Sequence, residues 1–341
     1  MILVTGGTGL VGSHLLYTLV TNQEPVRAIY RREKTLQRVK HVFSYFSENA
    51  DALFDKIEWM EADLNDIPKL QDAFKAITHV YHCAAFVSFE PDKYKELRKI
   101  NIKGTANIVN LAITNAVKKL CYVSSIAAIG HHTDSDKLID EDTAWNSEGD
   151  NSVYAITKYG AELEVWRGTQ EGLDAVIINP GIILGGGYWN GGSSGNLFKR
   201  IYNGMSYYVN GVAGYVDVWD VVKAMYQLTN STIKNENFIL VSENWSFKKF
   251  QYKVAEGLHV EPPKKEAKPW LLSIAWRLDW LALKILGKRR SLTRHTAKSA
   301  VSITKYDNTK IRKQLNFDFK GIDTSIREVC NLFLNDLEKK S

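Results

Sequence analysis

Cysteine is scarce in this chain: Cys83, Cys121 and Cys330 are the only three in 341 residues, and no two are closely spaced. That excludes a disulfide framework and a cysteine-based zinc site, and it reads as reduced thiols in a cytoplasmic protein. The adjacent His131 and His132 have no third ligand at a suitable spacing, so no metal is expected. The first apolar run begins at Ile2 and leaves no room for a basic leader, so no signal peptide fits. Trp270–Leu286 is the most apolar long stretch, and Arg277, Asp279 and Lys284 within it argue against a membrane span. Internal repeats and low-complexity tracts are missing, and the basic residues form no nucleic-acid reading motif.

What is present is ordinary for a globular protein, with 45% hydrophobic and 24% charged residues in a chain long enough for a large core. The net charge of +6 is unevenly spread. Residues 262–313 carry fourteen Lys or Arg against three acids, which leaves the rest mildly acidic. Such a lobe is either a solvated basic surface or a partner for an anionic substrate or membrane.

Apolar runs at Ile2–Val4, Val26–Tyr30, Ile57–Met60, Val80–Ala84, Leu120–Ser124 and Ala175–Asn179 alternate with helix-length segments. That rhythm predicts βαβ units and a doubly wound parallel α/β sheet with helices on both faces. The expected dinucleotide-binding unit is 1–180 with 216–250, and 181–215 with 251–341 form a smaller, discontinuous C-terminal substrate lobe. The glycine-rich stretch 185–195 is expected to be a flexible loop over the ligand site. In Trp270–Leu286, Leu271, Ile274, Ala275, Leu278, Leu281, Ala282 and Ile285 make one helical face, with Arg277 and Lys284 opposite. A helix packed into the lobe is expected. The tryptophans and the following Lys288-Arg289-Arg290 keep an interfacial membrane helix open.

Thr5-Gly6-Gly7-Thr8-Gly9-Leu10-Val11-Gly12 follows the first apolar run and opens a helix. Glycines at 6, 9 and 12 allow a tight turn, backbone approach to a pyrophosphate and close helix packing, with the anion on the helix N-terminus. The second strand ends Tyr30-Arg31-Arg32, where an acid would select NAD and arginine suits the 2′-phosphate of NADP. NADP is therefore preferred and NAD left open, the alternative being that both arginines are merely solvated. Asp63-Leu64, after the third strand, is the candidate to flank the adenine, unless Asp63 is an ordinary helix cap.

Tyr154 and Lys158 stand four apart and share a helix face. A phenol titrates near ~10; a neighbouring ammonium and a cationic nicotinamide would draw it toward neutrality and make it a proton-transfer group. His82, inside an apolar run, is read as a core histidine rather than a catalyst. Asn101 is either structural or part of a water relay.

Together these residues resemble the extended short-chain dehydrogenase/reductases, of the NAD-dependent epimerase/dehydratase type. The matching segments are the glycine turn, Asp63-Leu64, His82-Cys83-Ala84-Ala85, Asn101…Gly104-Thr105, Ser124-Ser125, Tyr154…Lys158 and Asn179-Pro180-Gly181. They look most like the dihydroflavonol 4-reductase/3β-hydroxysteroid dehydrogenase branch. The resemblance implies that Ser125, rather than Ser124, holds the substrate oxygen beside Tyr154, and that Lys158 also holds the nicotinamide ribose. It further implies that Ala84, Ala85, Pro180 and Gly181 line the cofactor, and that a homodimer forms through two helices per subunit.

Three functions compete. One is an NADP-dependent reductase of a ketone or aldehyde, or dehydrogenase of a secondary alcohol. The second is a nucleotide-sugar epimerase, in which Asn179 would contact a diphosphate. The third is a cofactor-binding protein without turnover. The Ser125/Tyr154/Lys158 set argues against the third, and Ile126-Ala127 after Ser125 lacks the acid pair of the resembled 4,6-dehydratases. Tyr188, Trp189, Tyr207, Tyr208 and Trp219 lie in substrate-side segments and tilt the reading to an apolar, aromatic or lipid-like small molecule.

Overall fold

The computed structural model describes residues 1–132, 137–190, 194–286 and 292–339. Six strands come in residues 1–180: β1 (Ile2–Thr5), β2 (Val26–Tyr30), β3 (Glu58–Glu61), β4 (His79–His82), β5 (Lys119–Val123) and β6 (Ala175–Pro180). The later ones are β7 (Ile182–Leu184), β8 (Tyr207–Tyr208), β9 (Val212–Asp217), β10 (Glu236–Leu240), β11 (Glu243–Ser246) and β12 (Lys265–Glu266). Seven make one parallel sheet in the order β10-β6-β5-β4-β1-β2-β3. This is the doubly wound Rossmann arrangement expected from the apolar runs.

Every residue of β1, β5 and β6 is buried, as a parallel sheet covered on both faces requires. Alternate residues serve opposite layers. Leu3, Val80, Tyr122 and Ile177 pack on Ile108, Val109, Ala161 and Val165 from helices Gly104–Thr114 and Val153–Gln170. Val4, Tyr81, Cys121 and Val176 pack on Leu15, Leu19, Val222 and Met225 from helices Leu10–Thr21 and Val218–Thr229. All three cysteines are free thiols.

The chain runs outward from β1 to β3 and then returns to β4, so the winding reverses between β1 and β4. Ligands bind such sheets beyond the carboxyl ends of the strands at this reversal. Two glycines make the turn there fit. Gly6 has φ +69°, and a Cβ on it would lie 2.6 Å from the Ala84 nitrogen. A Cβ on Gly12 would overlap the Gly6 carbonyl, so helix Leu10–Thr21 packs on the turn only without one.

A smaller sheet, β11-β9-β7, supports a second core around Leu184, Trp189, Phe198, Tyr215, Trp245, Phe250 and Phe333. The glycine-rich stretch is not a free loop where it is described. Tyr188 and Trp189 are buried, the Tyr188 hydroxyl donates to Thr8 O at 2.9 Å, and Gly195 begins helix Gly195–Tyr202. Residues 191–193 of that stretch lie outside the described residues. The aromatic supply expected for the substrate is thus partly structural. Trp189 donates to Asp336 at 2.6 Å and meets Phe333 edge-on, and Trp219 packs on His14 and Phe46.

Asp336, on the C-terminal helix Ile322–Glu338, binds distant parts of the chain together. Its Oδ2 accepts from Trp189 Nε1 and from the Tyr45 hydroxyl at 2.5 Å, and pairs with His41 Nε2 at 2.8 Å. Replacing it strands the buried indole N–H, at about 1–3 kcal/mol, and also removes the charged acceptor of Tyr45 and His41, although the Tyr45 hydroxyl keeps His41 Nε2 at 2.9 Å. Asp336→Ala is expected to lower unfolding stability by about 2–4 kcal/mol in urea titration; a loss within error of zero would show that the cluster contributes nothing.

Candidate active site

The glycine turn presents the N-terminus of helix Leu10–Thr21 to the crevice. Its N-cap is Gly9, with no side-chain cap and no acid in the first turn. The first-turn N–H groups of Leu10, Val11 and Gly12 therefore remain available to an anion. A Cβ on Gly9 would meet only Gly6 O, at 3.3 Å, which leaves its other side open to a ligand. The Thr5 hydroxyl, below the turn, accepts from the Ala84 N–H at 3.3 Å and joins the two segments flanking the reversal. These features fit a dinucleotide pyrophosphate.

Arg31 and Arg32 are exposed just beyond β2. Arg31 reaches toward Asp63 Oδ2 at 3.7 Å, so the expected adenine-side acid and the expected phosphate-side cation face each other. Burial alone would raise the Asp63 carboxyl, but hydrogen bonds from Asn65 and the charge of Arg31 hold it below the usual range. Asp63 is not a helix cap: Asp66 fills that role for helix Ile67–Ala73. Leu64 is buried on the same turn, its backbone oxygen bound by Asn107. Arg38, seven residues after Arg31, lies close enough to Tyr188 to bear on its phenol, and Tyr188 is bonded to the glycine turn. Sequence reasoning misses this third arginine, which lies eight residues past the strand, in the first turn of helix Leu36–Phe43.

Tyr154 and Lys158 lie on helix Val153–Gln170, which is capped by the Ser152 hydroxyl on the Ala155 N–H. The Ser125 hydroxyl lies close enough to the Tyr154 hydroxyl to bear on its ionisation. Ser125 follows β5 in an extended conformation, and its Oγ also accepts from the Ala127 N–H at 3.1 Å. Ser124 turns the other way and donates to Glu162 at 2.6 Å. Burial raises the Tyr154 phenol above its ordinary value, and the nearby Ser125 hydroxyl opposes the rise.

Lys158 is buried to 1% exposure and donates to the Tyr122 hydroxyl at 2.7 Å and to Val123 O at 2.9 Å. Burial brings its ammonium down to about 7, against the pull of the Glu162 charge one turn further along. Thus the lysine expected to shift Tyr154 grips β5 instead, and burial dominates both groups. Glu162 is absent from the sequence-based candidates, although its spacing of four from Lys158 extends the Tyr154–Lys158 face. Burial raises its carboxyl, and hydrogen bonds from Ser124 and Asn179 oppose that.

The strand register aligns Thr5, His82 and Tyr122. His82 Nδ1 meets the Thr5 hydroxyl at 2.6 Å and its Nε2 meets the Thr105 hydroxyl at 3.0 Å, while burial brings the imidazole down to about 3. It is a neutral, fully bonded core histidine. Asn101 sits in a π-helical stretch, Arg98–Lys103, and holds the Phe86 backbone from both sides while bonding Thr157. Its amide thus ties the segment after β4 to helix Val153–Gln170. Asn179 is fully buried and donates to Ser125 O and Glu162, so it does not reach out to a diphosphate. Ala84 and Ala85 follow β4 beside the glycine turn, and Pro180 ends β6. Gly181 is required by chain crossing, since a Cβ there would strike Gly214 O. His132 lies beside Thr143 at 3.4 Å, on the exposed surface.

The chain belongs to the NAD dependent epimerase/dehydratase family, whose model matches residues 2–240. It is an NAD(P)-dependent enzyme of the extended short-chain dehydrogenase/reductase type. A protein of Synechocystis assigned as a dihydroflavonol 4-reductase is 27% identical over 340 residues, covering 97% of this chain and 94% of its own length. Sterol demethylase protein B of Methylococcus capsulatus is 26% identical, covering 92% of both chains. The UDP-glucose 4-epimerase of Thermotoga maritima shares the fold, with a TM-score of 0.76, 21% identity and coverage of 98% and 99%.

Lys158 makes stability depend on pH. Its folded pKa of about 7 lies below the ordinary 10.5, so between those values the unfolded chain holds a proton that the folded chain has released. Unfolding stability then rises with pH across that window. The melting temperature of the wild type relative to Lys158→Met is expected to climb from neutral pH toward pH ~10; a flat difference would show that the ammonium is not buried.

Proposed function

We propose that the protein is an NADP-dependent reductase of an apolar, ring-bearing ketone or aldehyde. The observation that carries this reading is the Tyr154–Ser125 hydroxyl pair at the sheet's carboxyl edge, with a phenol that burial keeps protonated. A protonated phenol is the state needed to donate to a carbonyl oxygen, which favours the reductive direction. A bound reduced nicotinamide supplies the hydride to the carbonyl carbon. Ser125 orients the carbonyl oxygen, and Tyr154 delivers the proton to it. Lys158, fixed to β5, holds the ribose.

Two further features support the substrate class. The segment after β4 exposes Val87 and Phe89, and the Phe89 ring meets Tyr154 edge-on at 5.3 Å between centroids. The names of two relatives, a dihydroflavonol reductase and a sterol demethylase component, likewise point to ring systems. NADP is favoured over NAD because Arg31 and Arg32 follow β2 and Arg38 lies near the glycine turn, where a 2′-phosphate accepts charge-assisted hydrogen bonds. The buried Asn179 weakens the nucleotide-sugar reading.

Incubated with NADPH and a panel of flavonoid, steroid and aliphatic carbonyls, the protein is expected to consume NADPH with ring-bearing members. Tyr154→Phe should lower kcat by about 10²–10⁴-fold and leave NADPH affinity unchanged; undiminished turnover would remove Tyr154 from the mechanism. Arg31→Ala should weaken NADPH binding by about tenfold or more and NADH binding little. Equal weakening in a fluorescence titration would assign the arginine to neither cofactor's distinguishing group.

A further inference from the structure

Helix Pro269–Leu286, in the basic C-terminal segment, turns its large apolar side chains to solvent. Trp270, Ile274, Leu278, Leu281 and Ile285 recur every three or four residues along one face and are 45–69% exposed. This corrects the expectation of a face packed into the lobe. The opposite face carries Leu272 and Trp276, which line a groove of about 450 Å³ with Ala297 and Val301 of the neighbouring segment. The helix's one acid, Asp279, is on that opposite face and accepts from the Leu292 N–H at 2.7 Å.

Arg277 and Lys284 are not opposite the exposed apolar residues but border them, one turn of the wheel to the side. They stack over the Trp276 and Trp280 rings at 4.6 and 4.3 Å, with no carboxylate partner among the described residues. No helix among the described residues is long and apolar enough to cross a membrane. An apolar stripe bordered by unneutralised cations, in a segment with fourteen basic and three acidic residues, matches an anionic bilayer surface in both chemistry and charge.

We propose that helix Pro269–Leu286 is a peripheral docking surface for anionic membrane lipid, lying in the interface with its apolar face inserted. The segment that follows it is tied to the approach of the catalytic helix, since Lys298 bonds Asp150 at 2.9 Å, four residues ahead of Tyr154. Docking therefore brings the catalytic edge near the lipid, independently of which carbonyl is reduced. Lys288-Arg289-Arg290 lie outside the described residues and add only their charge to the sequence count.

The test is sedimentation of the full chain with vesicles of phosphatidylcholine alone and of phosphatidylcholine mixed equally with phosphatidylglycerol. Binding is expected only with the anionic mixture, and at least about tenfold weaker for Leu278→Glu/Ile285→Glu and for Arg277→Gln/Lys284→Gln. Circular dichroism should show both double variants folded, because the replaced side chains lie on the outer side of the helix; if the glutamate pair is not, the glutamine pair decides alone. Failure to sediment with the anionic vesicles, or binding undiminished in the folded variants, overturns the proposal. So does a wild-type dimer in light scattering that Leu278→Glu/Ile285→Glu converts to monomer without vesicle binding in either, since the face would then join two copies of the chain.

Discussion

Lys158 leaves water on folding, and the rest of the site is arranged around the cost of burying it. The ammonium is held by the Tyr122 hydroxyl, the Val123 carbonyl and the face of the Tyr122 ring at 4.4 Å. Burial is still the larger effect, as its depressed pKa shows, so the surrounding groups only partly offset the loss of hydration. Holding that ammonium requires helix Val153–Gln170 to lie against the end of β5, and the same placement sets Tyr154 near Ser125. Thr5, His82 and Thr105 form a bonded chain on one side, and Glu162, Ser124 and Asn179 form another on the other. Each of these side chains is tied to a neighbouring strand or helix, so strand register and the geometry of the candidate site are fixed together.

The crevice is divided electrostatically. On the β1–β2 side, an uncapped helix end and exposed arginines suit phosphate. On the β5–β6 side, burial raises the phenol and Phe89 offers an apolar edge. An anionic cofactor and an apolar carbonyl would be drawn to different ends of one groove and meet above Tyr154. On the proposed reading, a single burial effect thus serves twice, keeping the acid protonated and excluding water from it.

The strands and the glycine turn are legible in the sequence because their causes are local. A run such as Ala175–Asn179 can be buried on both sides only in a covered sheet, and Gly6 and Gly12 are demanded by contacts within the turn or with Ala84. Tyr154 and Lys158 are legible from helical spacing. Tyr188 and Trp189 are not, because an aromatic residue suits a core or a pocket equally, and the partner that decides, Asp336, is 147 residues beyond Trp189. Asn179 misleads for the same reason: its partners Ser125 and Glu162 are remote in sequence and meet it only through the strand order.

Helix Pro269–Leu286 shows a different limit. Periodicity reveals that a helix has an apolar face, but not what covers it. Five large side chains recurring at three- and four-residue intervals look the same whether a core or a lipid lies against them. The flanking charges separate the cases. A core-facing stripe keeps its cations on the far side, whereas here Arg277 and Lys284 border the exposed residues, with their charged ends over the Trp276 and Trp280 rings. An exposed apolar stripe edged by cations is the pattern that the proposed docking on an anionic lipid surface requires.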